Sequence, residues 1–189
     1  TIVVSCSLGR FDLVPVAIAG ETFHEDYVDG ESRSKAKGLP ALPTVNRSLL
    51  IPDDAEMELR ILSAAYTDYP STAVAPSKGI IFRDTEPASV PYTFDAVYGT
   101  DVWYPAERAS CGEPYIMRDA RGCLLILNPF SYNPIEQTLR VYHDIEVELR
   151  PVGPGRKNVL DMRPPSFDRD FSRTYLERFV NYESSSLSR

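Results

Sequence analysis

The sequence contains few of the side chains on which most enzymatic sites depend. Its 189 residues include two histidines and three cysteines, and 20 Lys and Arg stand against 27 Asp and Glu. The formal charge of -7 and the lack of a dense basic stripe argue against nucleic acid as a partner, since phosphate binding needs clustered positive charge. There is no apolar run long enough to span a bilayer and no signal peptide at the first residues. We therefore expect a soluble chain without a membrane span, beginning after processing.

The motifs of the common catalytic and cofactor sites are missing as well. The chain has no G-x-S-x-G elbow, H-E-x-x-H helix, C-x-x-C pair or glycine-rich phosphate loop. His143 is in phase with the apolar side of a predicted strand, which favours a core histidine, and His24 is interpreted as an exposed strand or loop residue. The acidic runs Glu25-Asp26 and Asp53–Glu56 lack the spacing of a calcium loop and predict solvated surface. We expect no enzymatic activity, no metal and no cofactor.

Three cysteines, Cys6, Cys111 and Cys123, are too few for a disulfide framework. Their odd number leaves at least one thiol unpaired within the chain. A Cys111–Cys123 bridge and three buried thiols both fit the sequence. We favour three thiols, because free cysteine packs well in protein cores.

What the sequence does contain is strand-like alternation. In the segment 139–149 one side is apolar and the other charged, which predicts a half-buried strand; the apolar side holds Leu139, Val141, Ile145, Val147 and Leu149. A second strand is predicted over Glu56–Ile61, and shorter ones over Arg47–Ile51, Pro114–Arg118 and Cys123–Leu127. Sixteen prolines and recurrent turn signals separate these runs, and no βαβ rhythm occurs. The pattern favours one all-β domain, a β-sandwich or barrel.

The C-terminal part differs from the rest. Phe167, Phe171, Tyr175 and Phe179 recur every four residues, an apolar helical stripe that we expect to pack on the domain itself. The polar, serine-rich end of the chain is typical of a linker, and it ends at Arg189, where an Arg-specific protease would cut. We divide the chain into a β-sandwich over 1–163, a helix over 164–183 and a flexible linker over 184–189.

One feature fits a different function. Trp103 and Tyr104 are adjacent aromatic residues, and sugar-binding β-sandwiches use exposed aromatic rings to stack on sugars. A pair in the core or at its rim is the interpretation we favour. A carbohydrate-binding or adhesive module remains the alternative function.

Several ordered motifs resemble the N-terminal prodomain of the Arg-specific gingipains, cysteine peptidases of family C25. They begin near Gly38-Leu-Pro-Ala-Leu-Pro43 and extend over about four-fifths of the chain, through Ala75-Pro-Ser-Lys-Gly-Ile-Ile-Phe-Arg83, Val90-Pro-Tyr, Tyr104-Pro-Ala-Glu107, Pro114-Tyr-Ile-Met-Arg-Asp-Ala-Arg-Gly122, Tyr132-Asn-Pro and Leu139-Arg-Val-Tyr142 to Asn181-Tyr-Glu183 and Arg189. The similarity is loose before Gly38, and the three cysteines depart from the family pattern.

The resemblance implies a jelly-roll-like β-sandwich made ahead of a caspase-like catalytic domain, which would be its partner. Such a prodomain assists folding, inhibits the enzyme and is removed by cleavage after arginine, and export through the envelope of a Gram-negative bacterium is implied too. We would then find the protein secreted, in the periplasm, at the cell surface or outside the cell. In the family an arginine on a prodomain loop enters the S1 pocket of the enzyme, and that position aligns with Arg83. The final processing arginine aligns with Arg189.

The residues around Arg83 fit this role independently. The segment 79–91 is bracketed by Pro76-Ser-Lys-Gly79 on one side and by Pro87 and Pro91 on the other, which predicts an extended, exposed loop. We expect Arg83 to be the S1 anchor, with Phe82, Asp84, Thr85 and Glu86 as flanking contacts. The Arg83–Asp84 bond is a candidate for a second, slower cut.

Overall fold

A computed structural model describes residues 1–161 and 169–183 of the chain. Within these ranges the strands are β1 (Ile2–Ser7), β2 (Phe11–Ile18), β3 (Glu21–Val28), β4 (Ser32–Arg33), β5 (Pro43–Leu50), β6 (Ala55–Tyr69), β7 (Ala109–Cys111), β8 (Tyr115–Met117), β9 (Ala120–Leu127), β10 (Phe130–Asn133) and β11 (Thr138–Pro154). A short helix, α1 (Ser172–Arg178), follows them, and 3-10 turns occur at Pro87–Ser89, Ala96–Gly99 and Arg169–Phe171. No helix in the described ranges is long and apolar enough to cross a membrane.

The strands form two larger sheets and one hairpin. The first sheet is built around β11, which pairs with β1 and β10 on one side and with β6 on the other. The second has the order β4-β5-β9-β7, with β8 also pairing β9, and β2 and β3 form a hairpin. The two larger sheets face each other across an apolar core formed by Val45, Leu49, Cys123, Leu125, Leu127, Tyr142, Ile145, Val147 and Leu149. The jelly-roll-like all-β sandwich predicted from the sequence is confirmed.

The predicted strand at 139–149 is part of β11, but its apolar residues do not share one face. The register with β6 shifts by one residue between Tyr142 and Asp144, so His143 is an extra residue, a β-bulge. A one-residue shift turns the following side chains to the opposite face of the sheet. Leu139 and Val141 accordingly lie in a second apolar cluster, with Leu42, Val74, Phe130 and Tyr132. His143 is half-buried at the bulge and does not lie in the core that we expected for it.

The C-terminal helix packs on the sandwich, as its stripe predicts. Tyr175 and Phe179 are buried against Ala120 and Tyr182, with Leu50 and Tyr115 beside them. The prediction of a helix to residue 183 is wrong, because α1 ends at Arg178. Phe179 is already extended and forms a bridge with Ser48 of β5. The side-chain amide of Asn181 then exchanges two hydrogen bonds of 2.8 Å with the backbone of Leu50, as a further strand would.

The predicted start of that helix and the predicted linker, including Phe167 and Arg189, lie outside the described residues. Apart from the end of the helix, the division of the chain into three segments therefore stays a prediction.

Candidate functional site

The segment that carries Arg83, here called the Arg83 loop (residues 79–91), leaves the sandwich from a well-anchored stem. Ser77 donates its N–H to the carbonyl of Leu39 at 2.8 Å, and the Gly38 N–H donates to the carbonyl of Ser77 at 2.9 Å. Gly79 then turns the chain with φ +85, and a Cβ at this position would lie 3.1 Å from the Cβ of Lys37. Both the backbone conformation and the close approach favour glycine here. The conformation at the start of the loop therefore depends on glycine at position 79.

The hairpin β2–β3 supplies the other support of the loop. In β3, Glu25 and Tyr27 point to the side of the loop, whereas Asp26 points into the protein and is fully buried. Five side chains, which we call the Glu25 cluster, join the hairpin to the loop stem: Glu25, Tyr27, Arg33, Lys78 and Tyr92. They line a cleft of about 500 Å³ that the loop residues Ile81 and Ala88 border.

Hydrogen bonds within the Glu25 cluster connect the two ends of the loop. The hydroxyls of Tyr27 and Tyr92 donate to Glu25 at 2.6 and 3.0 Å. The Lys78 ammonium lies 4.3 Å from the centre of the Tyr92 ring and donates to the carbonyl of Pro87 at 2.9 Å. Lys78 therefore holds the exit of the loop near its entry.

The hydrogen bonds of the Glu25 cluster shift the pKa values of its members. Burial raises the pKa of Glu25, but hydrogen bonds from Tyr27 and Tyr92 and the positive charge of Arg33 outweigh it, so the net pKa is below its usual value. Burial and the bond to Glu25 raise the pKa of Tyr92 to about 12. At neutral pH the cluster therefore contains a carboxylate that accepts hydrogen bonds from two neutral phenols and lies beside the Arg33 cation.

At the tip of the loop, Arg83 lies in a turn and not in an extended segment. The Thr85 N–H donates to the carbonyl of Phe82 at 3.1 Å, which places Arg83 and Asp84 at the two central positions of a β-turn. The prediction of an exposed loop is confirmed, and the prediction of an extended conformation at Arg83 is wrong. The reason is local, since a hydrogen bond across four residues competes with extension.

The tip presents an unusual combination of side chains. Arg83 is exposed, and it makes no hydrogen bond or ion pair with any other described residue. Phe82 is 73% exposed and Ile80 is 72% exposed, the two highest values among the large apolar residues described. Apolar side chains with this exposure, next to a free cation, are typical of a surface that another molecule covers.

The other predicted loop residues are less accessible or less free. Thr85 is half-buried, and its hydroxyl donates to Asp84 at 3.3 Å. The carbonyl of Glu86 accepts hydrogen bonds from the N–H and the hydroxyl of Ser89. The side chains of Asp84 and Glu86 are exposed. The roles assigned to Arg83, Phe82, Asp84, Thr85, Glu86 and Arg189 from the sequence stay predictions.

The ring of Trp103 already stacks with a side chain of this protein. The guanidinium of Arg140 lies 4.0 Å from the centre of the Trp103 ring and 4.0 Å from that of Tyr66. Asp68 binds the same guanidinium with two hydrogen bonds of 2.7 and 2.8 Å. Tyr104 is half-buried against the second apolar cluster. The pair belongs to the rim of the core, as favoured from the sequence, and nothing in the described residues favours sugar binding.

The remaining sequence expectations divide into confirmed and wrong ones. The three cysteines are free thiols, with Cys123 buried and the other two half-buried. His24 lies in a strand, but it is half-buried and not exposed as we expected, and its Nδ1 lies 3.3 Å from the carbonyl of Ala73. The expectation of a solvated acidic surface is wrong for Asp26 and Asp53, both of which are buried. Among the described residues, no group of three or more His, Cys, Asp or Glu side chains is arranged to hold a metal ion.

Sequence reasoning missed the Glu25 cluster. Its members are dispersed between residues 25 and 92, and strand pairing brings them together. The one local signal was the alternation in β3, which places residues 25 and 27 on one side and residue 26 on the other.

Comparison with known proteins gives consistent matches over most of the chain. A family model described as Propeptide_C25 matches residues 14–175. Gingipain R1 of Porphyromonas gingivalis is 35% identical over 157 residues, which are 83% of this chain and 16% of that protein. Lys-gingipain of the same species is 24% identical over 181 residues, 93% of this chain and 10% of that protein. The chain thus spans less than a fifth of the length of these relatives.

Two solved structures share the fold. The structure described as the complex of Porphyromonas gingivalis RgpB pro- and mature domains matches with a TM-score of 0.87 and 28% identity, covering 96% of this chain and 92% of that one. A structure concerned with the zymogenic latency of gingipain K from the same species matches with a TM-score of 0.64 and 23% identity, over 79% of this chain and 87% of that one.

Proposed function

The chain belongs to the propeptide family of the C25 peptidases, and we propose that it is the prodomain that keeps a C25 cysteine peptidase latent. Its partner is then the caspase-like catalytic domain of that peptidase, and its place is outside the cytoplasm of a Gram-negative bacterium. Inhibition is the primary role, and assistance to folding of the catalytic domain is the second. The chain itself contributes no catalytic group and needs no cofactor.

One observation carries the proposal: an exposed arginine, with no hydrogen-bond or ion-pair partner among the described residues, lies at the tip of a loop whose two ends are joined by Lys78. We propose that Arg83 occupies the S1 pocket as a substrate arginine does. A guanidinium donates two parallel hydrogen bonds to a carboxylate, and each charged hydrogen bond is worth roughly 1.5–3 kcal/mol. Lysine cannot reproduce the two parallel bonds. A pocket that selects arginine would therefore hold this residue in preference to other loop side chains.

The loop stem reduces the cost of binding. Ordering a flexible loop in a complex costs free energy, and preorganisation removes part of that cost. Here Lys78 connects the loop entry to Pro87 before any partner is present. Phe82 and Ile80 would lose their exposure in the same complex, and burial of apolar surface contributes about 25 cal/mol for each Å².

Substitution of Arg83 tests the anchor directly. We expect Arg83→Ala to weaken inhibition of the cognate peptidase at least about tenfold, equivalent to about 1.4 kcal/mol, and Arg83→Lys to weaken it as well. The measurement is the inhibition constant of the purified chain added to the separate catalytic domain. Arg10→Ala is the matched control, because Arg10 is 87% exposed and lies outside the loop.

The possible outcomes distinguish the anchor role of Arg83 from the prodomain role of the chain. If the wild-type chain inhibits and Arg83→Ala inhibits equally well, the anchor role is wrong while the prodomain role stands. If the wild-type chain does not inhibit but the enzyme fails to fold without it, the role is folding assistance alone. A reading frame in which no caspase-like domain accompanies this chain would contradict latency within one polypeptide.

The turn at the loop tip bears on whether Arg83 is cleaved. The Arg83–Asp84 bond lies at the centre of a hydrogen-bonded turn, and a displacement of about 1 Å from the reactive geometry can reduce a rate on the order of 10²-fold. We propose that this bond is cut slowly, after cleavage at Arg189, and that the second cut relieves inhibition. Mass spectrometry during maturation should show a product ending at Arg83 that accumulates later than the product ending at Arg189. A completed maturation without any product ending at Arg83 would contradict the second cut.

A further inference from the structure

Two of the three thiols are neighbours on adjacent strands. Cys111 is the last residue of β7, and it lies opposite Leu125 of β9. Cys123 is two residues from Leu125 along β9, so its side chain and that of Cys111 are on the same face of the sheet. The two thiols also influence each other's ionisation, because each shifts the pKa of the other. The third thiol, Cys6, lies on β1 in the opposite sheet.

The thiol pair opens to solvent through a cleft. Cys111 and Cys123 both line a cavity of about 320 Å³, together with Met57 and Gly112. Cys111 is half-buried whereas Cys123 is 1% exposed, so a reagent entering the cleft meets Cys111 first. A cavity of this size admits a small molecule but not a folded protein.

The two sulfurs differ in how readily they ionise. Charges of both signs line the cavity, since Arg156 pairs with Glu56 and Lys157 with Glu113. The hydrogen bond from Cys123 lowers the pKa of Cys111 below its usual value, although burial opposes it. The pKa of Cys123 is raised by the hydrogen bond to Cys111 and by burial. Since the thiolate is the nucleophile in disulfide exchange, the two thiols have distinct chemical roles.

We propose that Cys111 and Cys123 are a dithiol site that reacts with low-molecular-weight disulfides and closes to an intramolecular disulfide. The Cys111 thiolate attacks one sulfur of the small disulfide, forms a mixed disulfide and releases one thiolate, which takes up the proton that Cys111 lost. Cys123 then loses its proton and attacks the Cys111 sulfur, which releases the second small thiol. In total one small disulfide is reduced to two thiols while the two cysteines are oxidised to one bond.

Formation of this bond requires a shift of the backbone. Diagonal neighbours on paired strands have Cα atoms roughly 7–8 Å apart, whereas disulfides usually join Cα atoms about 4.4–6.8 Å apart. Cys111 ends its strand, and after the bond from the Gly112 N–H to the carbonyl of Leu124 the pairing with β9 resumes at Tyr115 of β8. A strand end moves more readily than the middle of a ladder. The bond would then tie β7 to β9 across the segment that contains β8.

The test uses the whole chain, reduced and then equilibrated with glutathione disulfide. Remaining thiols are blocked by alkylation, and peptides are mapped by mass spectrometry. We expect a Cys111–Cys123 cross-linked peptide, an alkylated Cys6 and a melting temperature raised by roughly 5–10 °C over the reduced protein. The Cys6→Ser variant should give the same cross-link.

Two variants distinguish the order of attack. Cys123→Ser should retain a glutathione adduct on Cys111, because the second thiol that would displace it is missing. Cys111→Ser should leave Cys123 without an adduct over the same time. Alkylation of all three cysteines in wild-type protein under excess glutathione disulfide would overturn the proposal, as would a lasting adduct on wild-type Cys111 or a bond that includes Cys6. The wild-type peptide map is decisive by itself if a variant does not fold. The inference does not depend on the function proposed above.

Discussion

Replacing Arg121 with methionine should lower the free energy of unfolding by about 3–5 kcal/mol, although this arginine lies on β9, outside the Arg83 loop. Arg121 is 1% exposed, and its guanidinium donates four hydrogen bonds to backbone carbonyls, those of Pro52, Ala55, Lys157 and Asn158, at 2.6–3.0 Å. Two of these carbonyls lie between β5 and β6 or at the start of β6, and two lie after β11. One side chain of β9 therefore connects the segment 52–55 to the segment 157–158 by hydrogen bonds.

The expected loss of unfolding free energy arises from the four backbone carbonyls, which stay buried in the variant. Methionine fills a similar space and removes the buried charge, so the cost of burying a cation disappears with it. The four carbonyl groups cannot be removed, however, and a buried acceptor without a donor costs about 1–3 kcal/mol. Water entering the neighbouring cleft would donate hydrogen bonds to some of the four carbonyls. The expected loss of unfolding free energy is therefore smaller than four times the cost of one unsatisfied carbonyl.

Urea unfolding of Arg121→Met and of wild type measures this loss. Arg60→Met is a suitable control, because Arg60 is half exposed and bonded to Glu58 at the surface, where an ion pair is worth about 0–1 kcal/mol. A loss at Arg121 no larger than that at Arg60 would show that the four carbonyls are satisfied in some other way.

Arg121 also marks what sequence patterns do not reveal. Its partners are backbone carbonyls, which every residue carries, so no spacing of residue types indicates them. Asp26 is a similar case, since an acidic residue in an alternating strand is expected on the solvated side. The extra residue at His143 escapes prediction because a bulge preserves the alternation of letters while it reverses the faces.

The parts that could be predicted depend on local regularities. Alternation identified the strand at 139–149, the one at Glu56–Ile61 and the shorter strands of the second sheet, because half-buried strands repeat every two residues. Their pairing could not be derived, since contacts between β6 and β11 join residues about 80 positions apart along the chain. Prolines and Gly79 indicated the Arg83 loop and its exposure. The turn at its tip depends on one backbone hydrogen bond, and the functional role of Arg83 rests on the resemblance to the family.

The largest pH effect should arise from Asp26. This carboxyl group is fully buried, and neither oxygen has a hydrogen-bond partner among the described residues. Burial, and to a smaller extent the charge of Glu25, raise its pKa to about 7 against the opposing effect of Arg33. The folded protein therefore retains a proton on Asp26 that the unfolded chain, with an ordinary pKa of 3.8, has lost.

This difference sets the direction of the effect. A raised acid pKa makes the folded state bind more protons than the unfolded state between about pH 4 and pH 7, so the free energy of unfolding falls as the pH rises through that window. Each pH unit changes it by about 1.36 kcal/mol, which gives a total near 4 kcal/mol, as an order of magnitude. Above about pH 7 both states are ionised and the loss is complete.

Asparagine has the shape of the protonated side chain and cannot ionise, so Asp26→Asn should remove this dependence. We expect the variant to match wild type near pH 4 and to be about 4 kcal/mol more stable at pH 8, as measured by urea unfolding at both values. Asp12→Asn, a change of the same chemistry at an exposed site on β2, should alter stability by less than about 0.5 kcal/mol at either pH. A difference between Asp26→Asn and wild type that stays constant from pH 4 to pH 8 would mean that Asp26 does not change its ionisation in that range. The expected pattern would instead identify the strand that carries Glu25, and with it the support of the Arg83 loop, as the part of the sandwich most sensitive to pH.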